Sequence, residues 1–180
     1  MEDFQMETKQ LFKLRKSVRD YTGYLSEEAL QSVLDIAQLS PVGRSDYDSM
    51  HLTVIRNKSL LADIEKNAGE FFDDTSRQIL YGAPCLILVS TILCDVKTIN
   101  VPYSNAAIMA NNMALAAIDL NLGSCLIWGA VMAMIYNEDL LKKLDLPQGF
   151  LPCCGVVIGE TDEHFKEKSI PLNQIAVEYI

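Results

Sequence analysis

The run Arg15-Lys16-Ser17-Val18-Arg19-Asp20-Tyr21 is the part of this chain best equipped for chemistry, and that chemistry is the capture of a small anion. Lys9, Lys13, Arg15, Lys16 and Arg19 are five of the chain's 15 lysines and arginines, and no acidic residue lies between Lys9 and Arg19. The formal net charge is −9, so this is a local reversal of sign in an acidic protein. Acidity argues against nucleic acid as a partner, while a small cationic focus suits a compact anion. Arg15 and Arg19 stand four apart with the Ser17 hydroxyl between them. Two planar guanidinium forks and a small donor match the oxygens of a phosphomonoester. On charge alone a solvated basic face at the end of a helix stays open as the alternative.

Other residue types offer less. Five cysteines (Cys85, Cys94, Cys125, Cys153 and Cys154) are odd in number and lack Cys-x-x-Cys spacing. Cys153 and Cys154 are neighbours in an expected strand, where side chains alternate between faces, so they are not placed to pair. Reduced core thiols in a cytoplasm fit this pattern. His51 and His164 are the only histidines and neither has a Cys/His cluster nearby, so no metal site is expected. No catalytic triad or acid–base pair stands out.

The elements that must position the cation cluster follow from periodicity and punctuation. With 180 residues, the chain suits one domain, 1–180, burying roughly 70% of its unfolded surface. No repeat or linker interrupts it. The acidic N-terminus has no apolar stretch of the secretory kind. The most apolar long segment, 106–122, contains Asn111, Asn112 and Asp119 and reads as a buried helix, not a membrane span. A first helix is expected over residues 4–14. A second starts at Ser26 as N-cap, carries Leu30, Val33, Leu34 and Ala37 on its buried stripe, and ends at Pro41. A strand over 51–55 precedes a short helix capped by Ser59 and stopping before Gly69. Residues 84–91 form a continuous apolar strand covered on both faces. The longest helix is expected over 103–122, with Ala106, Ala110, Ala114 and Ala117 making a smooth face for another helix of this chain or of a partner. A strand over 124–128, a helix over 138–144 and a last strand over 154–158 follow, and residues 169–180 read as an extended arm.

Arg-x-Ser-x-Arg-x-Tyr after an N-terminal helix resembles the opening motif of the FMN-dependent nitroreductase family, R-R-S-x-R-x-[FY]. Four further segments resemble that family in the same order. Ala37 to Gly43 is similar to its A-x-x-A-P-S segment. Tyr81-Gly82-Ala83-Pro84 with Cys85 to Val89 is similar to its D-A-P-strand element. Asn105-Ala106-Ala107 through Gly123-Ser124-Cys125 resembles its Ala-rich helix and G-L-G-S turn, and Leu144 to Gly159 its L-x-[IL]-P-x-G-[YF]-x-P…G strand.

The resemblance implies an α+β fold: a three-layer α/β/α sandwich with a mainly antiparallel sheet, in a homodimer whose arms, residues 169–180, wrap the partner. It implies tightly bound FMN, with NADH or NADPH as co-substrate, and flavin-borne chemistry in place of catalytic side chains. Arg15, Lys16 and Ser17 then lie at the phosphate and ribityl side, with Arg19 near the pyrimidine edge and Arg77 a second candidate there. Ile127, Trp128 and Gly129 form the turn near N5. Lys166 and Lys168 complete the phosphate site, unless that Lys-Glu-Lys stretch is only solvated surface. Pro41, Val42 and Gly43 contact the flavin of the other subunit. The family's N-x-Q-P-W segment is missing; Arg44, Tyr47 and Asp48 stand in its place, with Trp128 as a stacking wall or a core aromatic. The implied activity is reduction of a small planar acceptor, nitroaromatic or quinone. The alternatives are a flavin-storage or sensing protein, or a specialised member acting on a halogenated or flavin-derived substrate.

Overall fold

The computed structural model of this chain describes residues 7–92, 98–171 and 174–180. Four strands, β1 (Met50–Ile55), β2 (Cys85–Ile92), β3 (Gly123–Ile127) and β4 (Phe150–Gly159), form one sheet in the order β1-β2-β4-β3. Every neighbouring pair is antiparallel, as the family resemblance implies. Among the described residues six α-helices accompany it: α1 (Thr8–Leu14), α2 (Glu27–Gln38), α3 (Lys58–Phe71), α4 (Asn100–Asp119), α5 (Gly129–Ile135) and α6 (Glu138–Lys143).

The alternation of β2 explains how the helices divide. Cys85, Ile87 and Val89 join a core with Leu30 and Val33 of α2 and Ala106, Ala110 and Met113 of α4. Leu86 and Leu88 point the other way, into a second core with Ile64 of α3, Val131 and Met134 of α5 and Leu140 of α6. A strand covered on both faces has no polar side to show, which is why its sequence is an unbroken apolar run. Burying each such leucine contributes roughly 1.5–3 kcal/mol.

Several boundaries differ from the sequence reading. For α1, residues 4–6 lie outside the described residues, and so does Cys94. Helix α3 is capped by Asn57, whose Oδ1 accepts from the Leu60 N–H at 3.0 Å, and not by Ser59. It runs through Gly69, because that glycine is a close-packing position: a Cβ there would stand 3.1 Å from the Asp74 carbonyl oxygen. Helix α4 starts and ends earlier than expected. Asn121 adopts φ +57°, and the Leu122 and Asn121 N–H groups return to Ala117 and Ile118 carbonyls at 2.7 and 2.9 Å. This is a Schellman closure, with Asn in the left-handed position that glycine often fills. Strand β4 extends back to Phe150, with Pro152 accommodated beside the register shift at Val89/Ser90, where the ladder needs no donor. Helix α5 was not anticipated, since its N-cap Trp128 offers no capping side chain.

The alanine face of α4 is occupied within the chain. Ala106, Ala110, Ala114 and Ala117 are all buried in the core with α2 and the sheet, so they do not await a partner helix. The described part of residues 169–180 has neither helix nor strand and is exposed throughout. No helix among the described residues is long and apolar enough to cross a membrane.

Candidate functional site

The cation-rich loop is fixed by the one residue in it that has no charge or hydroxyl. Val18 is fully buried, and its N–H donates to the Ser124 carbonyl of edge strand β3 at 2.9 Å. Two glycines make room for this docking. A Cβ on Gly123 would meet Val18 Cγ1 at 2.8 Å, and one on Gly159 would meet Pro84 Cδ at 2.5 Å and Tyr21 Cδ1 at 3.2 Å. The Tyr21 hydroxyl donates back to the Val18 carbonyl at 3.1 Å. Burial pushes the Tyr21 phenol far above its ordinary range, so it remains a donor. With Val18 turned inward, its neighbours Ser17 and Arg19 are left partly or fully accessible.

A strap from the other end of the chain closes the loop's second side. The Thr22 N–H donates to the Glu160 carbonyl and the Glu160 N–H to that of Tyr24, each at 2.9 Å. The Thr161 hydroxyl donates to the Asp20 carbonyl at 2.7 Å. Glu163 accepts the Arg19 backbone N–H at 2.9 Å and pairs with Lys16, which hold its carboxyl below the usual range, Lys16 foremost. Lys13 pairs with Glu167 at 3.0 Å. The Lys168 N–H donates to the Lys13 carbonyl at 3.1 Å, and its ammonium donates to the Arg15 carbonyl. Burial, then the charges of Arg15 and Lys16, lower the Lys168 pKa. A local excess of positive charge acts on that ammonium.

The lysines and arginines of the loop are treated differently. Lys13 and Lys16 have carboxylate partners, whereas neither Arg15 nor Arg19 has a carboxylate within 4.0 Å among the described residues. The Arg19 guanidinium lies over the Tyr81 ring, 5.6 Å from its centroid, and the Tyr81 side chain is the main reason its pKa is raised. Cys125 of β3 marks where the polar groups converge. Burial raises its thiol pKa, while the charge of Arg19, a hydrogen bond with Ser17 and the charge of Arg15 pull the other way. The loop thus brings together two guanidinium groups and a hydroxyl, and neither guanidinium has a carboxylate partner among the described residues.

Other expected residues lie elsewhere. Ile127 ends β3 and leads into Trp128 and Gly129, roughly 10 Å along the strand from Cys125 at the usual rise per residue. Since the Ser124 carbonyl faces outward to Val18, the pleat also turns the Leu126 N–H toward the open edge. Gly129 sits against Phe72, where a Cβ would come within 3.3 Å of the ring, and Trp128 is about half exposed at 52%. Pro41, Val42 and Gly43 follow α2; Val42 is buried, and the Gly43 N–H donates to Asn105 Oδ1 of α4 at 3.0 Å. Arg44, Tyr47 and Asp48 are exposed, with Arg44 at φ +61°. No hydrogen bond or ion pair among the described residues joins this segment to the Arg15–Arg19 loop. Arg77 and Lys166 are exposed and enter no ion pair among the described residues.

A model of the nitroreductase family matches residues 13–160. The chain belongs to the nitroreductase family. Its fold is similar to that of a nitroreductase with bound FMN from Desulfitobacterium hafniense DCB-2, with a TM-score of 0.81 and 23% identity, covering 97% of this chain and 100% of that one. It is also similar to a nitroreductase with bound FMN from Bacteroides fragilis NCTC 9343 (TM-score 0.80, 24% identity, covering 97% and 100%). For B. megaterium NfrA1 the TM-score is 0.77 at 20% identity, covering 94% of this chain and 73% of that one. No curated protein matches the sequence. The family is one of oxidoreductases, and the matched span begins at Lys13, just before the cation loop, and ends at Glu160, the first residue of the strap. In this nitroreductase-family chain, sequence reasoning overlooked Glu163, Cys125 and Tyr81 as parts of the loop's surroundings. Glu163 contacts the loop across 144 residues of sequence, which no local pattern signals.

Proposed function

We propose that this chain is an FMN-dependent oxidoreductase that takes hydride from NADH or NADPH and passes it to a small planar acceptor of nitroaromatic or quinone type. It works as a cytoplasmic homodimer of single-domain chains, 1–180, each a three-layer α/β/α sandwich. One observation carries the reading: Arg15 and Arg19, flanking Ser17, are held beside β3 without a carboxylate partner among the described residues, while Lys13 and Lys16 are paired. The donor set fits a flavin mononucleotide, with phosphate-binding forks at one end and outward N–H groups along β3 toward a glycine-containing turn. Similar folds are described as nitroreductases with bound FMN, which supports the same choice.

The residues then divide the work. Arg15 and Ser17 hold the phosphate, with Lys168 and Lys166 approaching from the strap and Lys16 kept in place by Glu163. Arg19 stays protonated at any working pH and supplies positive charge at the pyrimidine edge, where reduction concentrates negative charge. The Leu126 N–H and the turn at Ile127, Trp128 and Gly129 orient the ring near N5, and Trp128 walls the acceptor side. Arg77 is a second cation for the pyrimidine edge. Pro41, Val42 and Gly43, with Arg44, Tyr47 and Asp48, serve the site of the other subunit, and residues 169–180 cover that subunit's surface. FMN, when bound, carries the hydride between nicotinamide and acceptor.

Purified protein tests this directly. It should be yellow, and without air NADH or NADPH should bleach it, with the acceptor restoring the colour. Steady-state lines should run parallel, because both substrates use one site in turn. Colour that neither nicotinamide bleaches would favour flavin storage, and intersecting lines would contradict the shared site.

A further inference from the structure

We propose that Tyr81 is the positioning residue for Arg19: its ring aims the guanidinium at the electron-accepting edge of the cofactor without neutralising it. The inference rests on the FMN reading above and adds to it a residue outside the motif that carries the cations.

Tyr81 adopts φ +57°, in the left-handed region that a bulky side chain rarely occupies, and Gly82 follows at φ +72°. The chain is pinned on the near side. Leu80 is buried, its N–H donates to Glu65 Oε1 at 3.0 Å, and the Ala83 N–H returns to the Leu80 carbonyl at 3.1 Å. The turn thereby presents the Tyr81 side chain to the loop from a different element. The Arg19 carbon Cζ lies 5.6 Å from the ring centroid. A second restraint fixes the backbone, since the Arg19 N–H is bound by Glu163 at 2.9 Å.

The chemistry of the anchor is the point. A carboxylate would orient Arg19 equally well but would cancel its charge. An aromatic face with a phenol attracts the cation through its quadrupole and leaves the full positive charge for a ligand. Among the described residues, Lys13 and Lys16 are anchored by carboxylates and Arg19 by a neutral ring. The first pattern suits residues that build the site, and the second suits one that acts on the bound group.

The test compares the wild type with Tyr81→Phe, Tyr81→Leu, Arg19→Ala and the Arg19→Ala/Tyr81→Leu double variant, each loaded with FMN. Leucine keeps a side chain at the left-handed position and removes the ring; phenylalanine keeps the ring and guards against a leucine variant that fails to fold. The readouts are the flavin midpoint potential and the Kd for FMN. Tyr81→Leu should lower the potential by about 30 mV, a tenfold change in a two-electron equilibrium, while Tyr81→Phe, which keeps the ring, should stay near the wild type. The FMN Kd should change less than threefold, because the phosphate contacts are untouched. In the Arg19→Ala background Tyr81→Leu should add nothing, as expected of residues acting through one another. A wild-type potential in Tyr81→Leu, or a full shift in the absence of Arg19, overturns the proposal. A wild type that binds no FMN overturns the proposed function instead. The Arg19 Nε–H resonance of the ligand-free protein then decides: a shifted signal that moves to the solvent-exposed position in Tyr81→Leu supports the anchor, and an unchanged one overturns it.

Discussion

The cation loop with its strap and the segment from Pro41 to Asp48 with the C-terminal residues are built in opposite ways. The first is closed within the chain: Val18 is buried, the backbone of 18–24 is bonded to β3 and to the strap, and Lys13 and Lys16 are paired. The second leaves large side chains uncovered, with Tyr47 47%, Ile175 80% and Tyr179 93% exposed. On the proposed reading, the loop's anion is held by residues of one chain. Exposed apolar groups at the second region favour a second copy of the chain as their cover. One end of the cofactor is therefore expected to be bound by a single chain and the other to depend on assembly.

The largest effect should come from filling the space under the loop. Gly159→Val places a branched side chain where even a Cβ would be 2.5 Å from Pro84. Overpacking of this kind costs about 1–3 kcal/mol in ordinary cores and more where ring atoms cannot move. Thermal melts should show a large fall in Tm together with loss of FMN binding. A variant with wild-type stability would mean that the close contact of Gly159 with Pro84 and Tyr21 is not structurally important.

Alkaline pH probes the sheet instead of the loop. Burial pushes the thiols of Cys85 and Cys154 up to about 12 from an ordinary value of 9.0. Because the folded state keeps its protons longer, unfolding releases protons above pH 9. Stability is then full below pH 9 and declines as pH rises toward 12, by about 1.4 kcal/mol per pH unit for each thiol. Urea melts at pH 8, 9 and 10 should show that decline, and replacing both cysteines with alanine should make it shallower, the remainder coming from Cys153, whose thiol burial pushes up to about 11.

A smaller effect is expected at the strap. Glu163→Gln removes the partner of Lys16, but both side chains are 28% exposed, so the cost to stability is at most about 1 kcal/mol. The lowered carboxyl pKa gives the sign: the contribution is present above the ordinary carboxylate range and is lost as pH falls through the folded-state value. The wild type should therefore lose its advantage over the variant as pH falls below the ordinary carboxylate range, and an advantage independent of pH would contradict the pairing. Removing residues 169–180 should have the smallest effect on the chain itself, since the described part of that segment is exposed. Tm should hold within a few degrees while light scattering reports a shift from dimer toward monomer. An unchanged dimer would remove the arm from the assembly.

The sequence carried the candidate site's proposed donors but not their restraints. Arg15, Ser17 and Arg19 were legible because their types and spacing are local, and the β2 run because burial on both faces leaves a continuous apolar word. The Ser26 cap was legible for the same reason, and its hydroxyl accepts the Ala29 N–H at 3.1 Å. The strap was not legible, because Glu163 reads as part of an acidic surface stretch until the fold brings Lys16 beside it. The α4 alanines suggested a helix partner of either origin, and only packing showed that α2 and the sheet take that face. Gly69 looked like a stop signal because a glycine required by close packing and one required by a turn are identical in sequence.

FMN and riboflavin binding, measured in the wild type and in Arg15→Ala, tests the central claim most directly. The two ligands differ only in the phosphate that Arg15 is proposed to hold. The account predicts that the wild type binds FMN far more tightly than riboflavin. Arg15→Ala should weaken FMN by about 2–4 kcal/mol, the loss of a charge-assisted fork, and leave riboflavin nearly unchanged. Equal losses for the two ligands, or none for FMN, would contradict the placement of the phosphate at the cation loop.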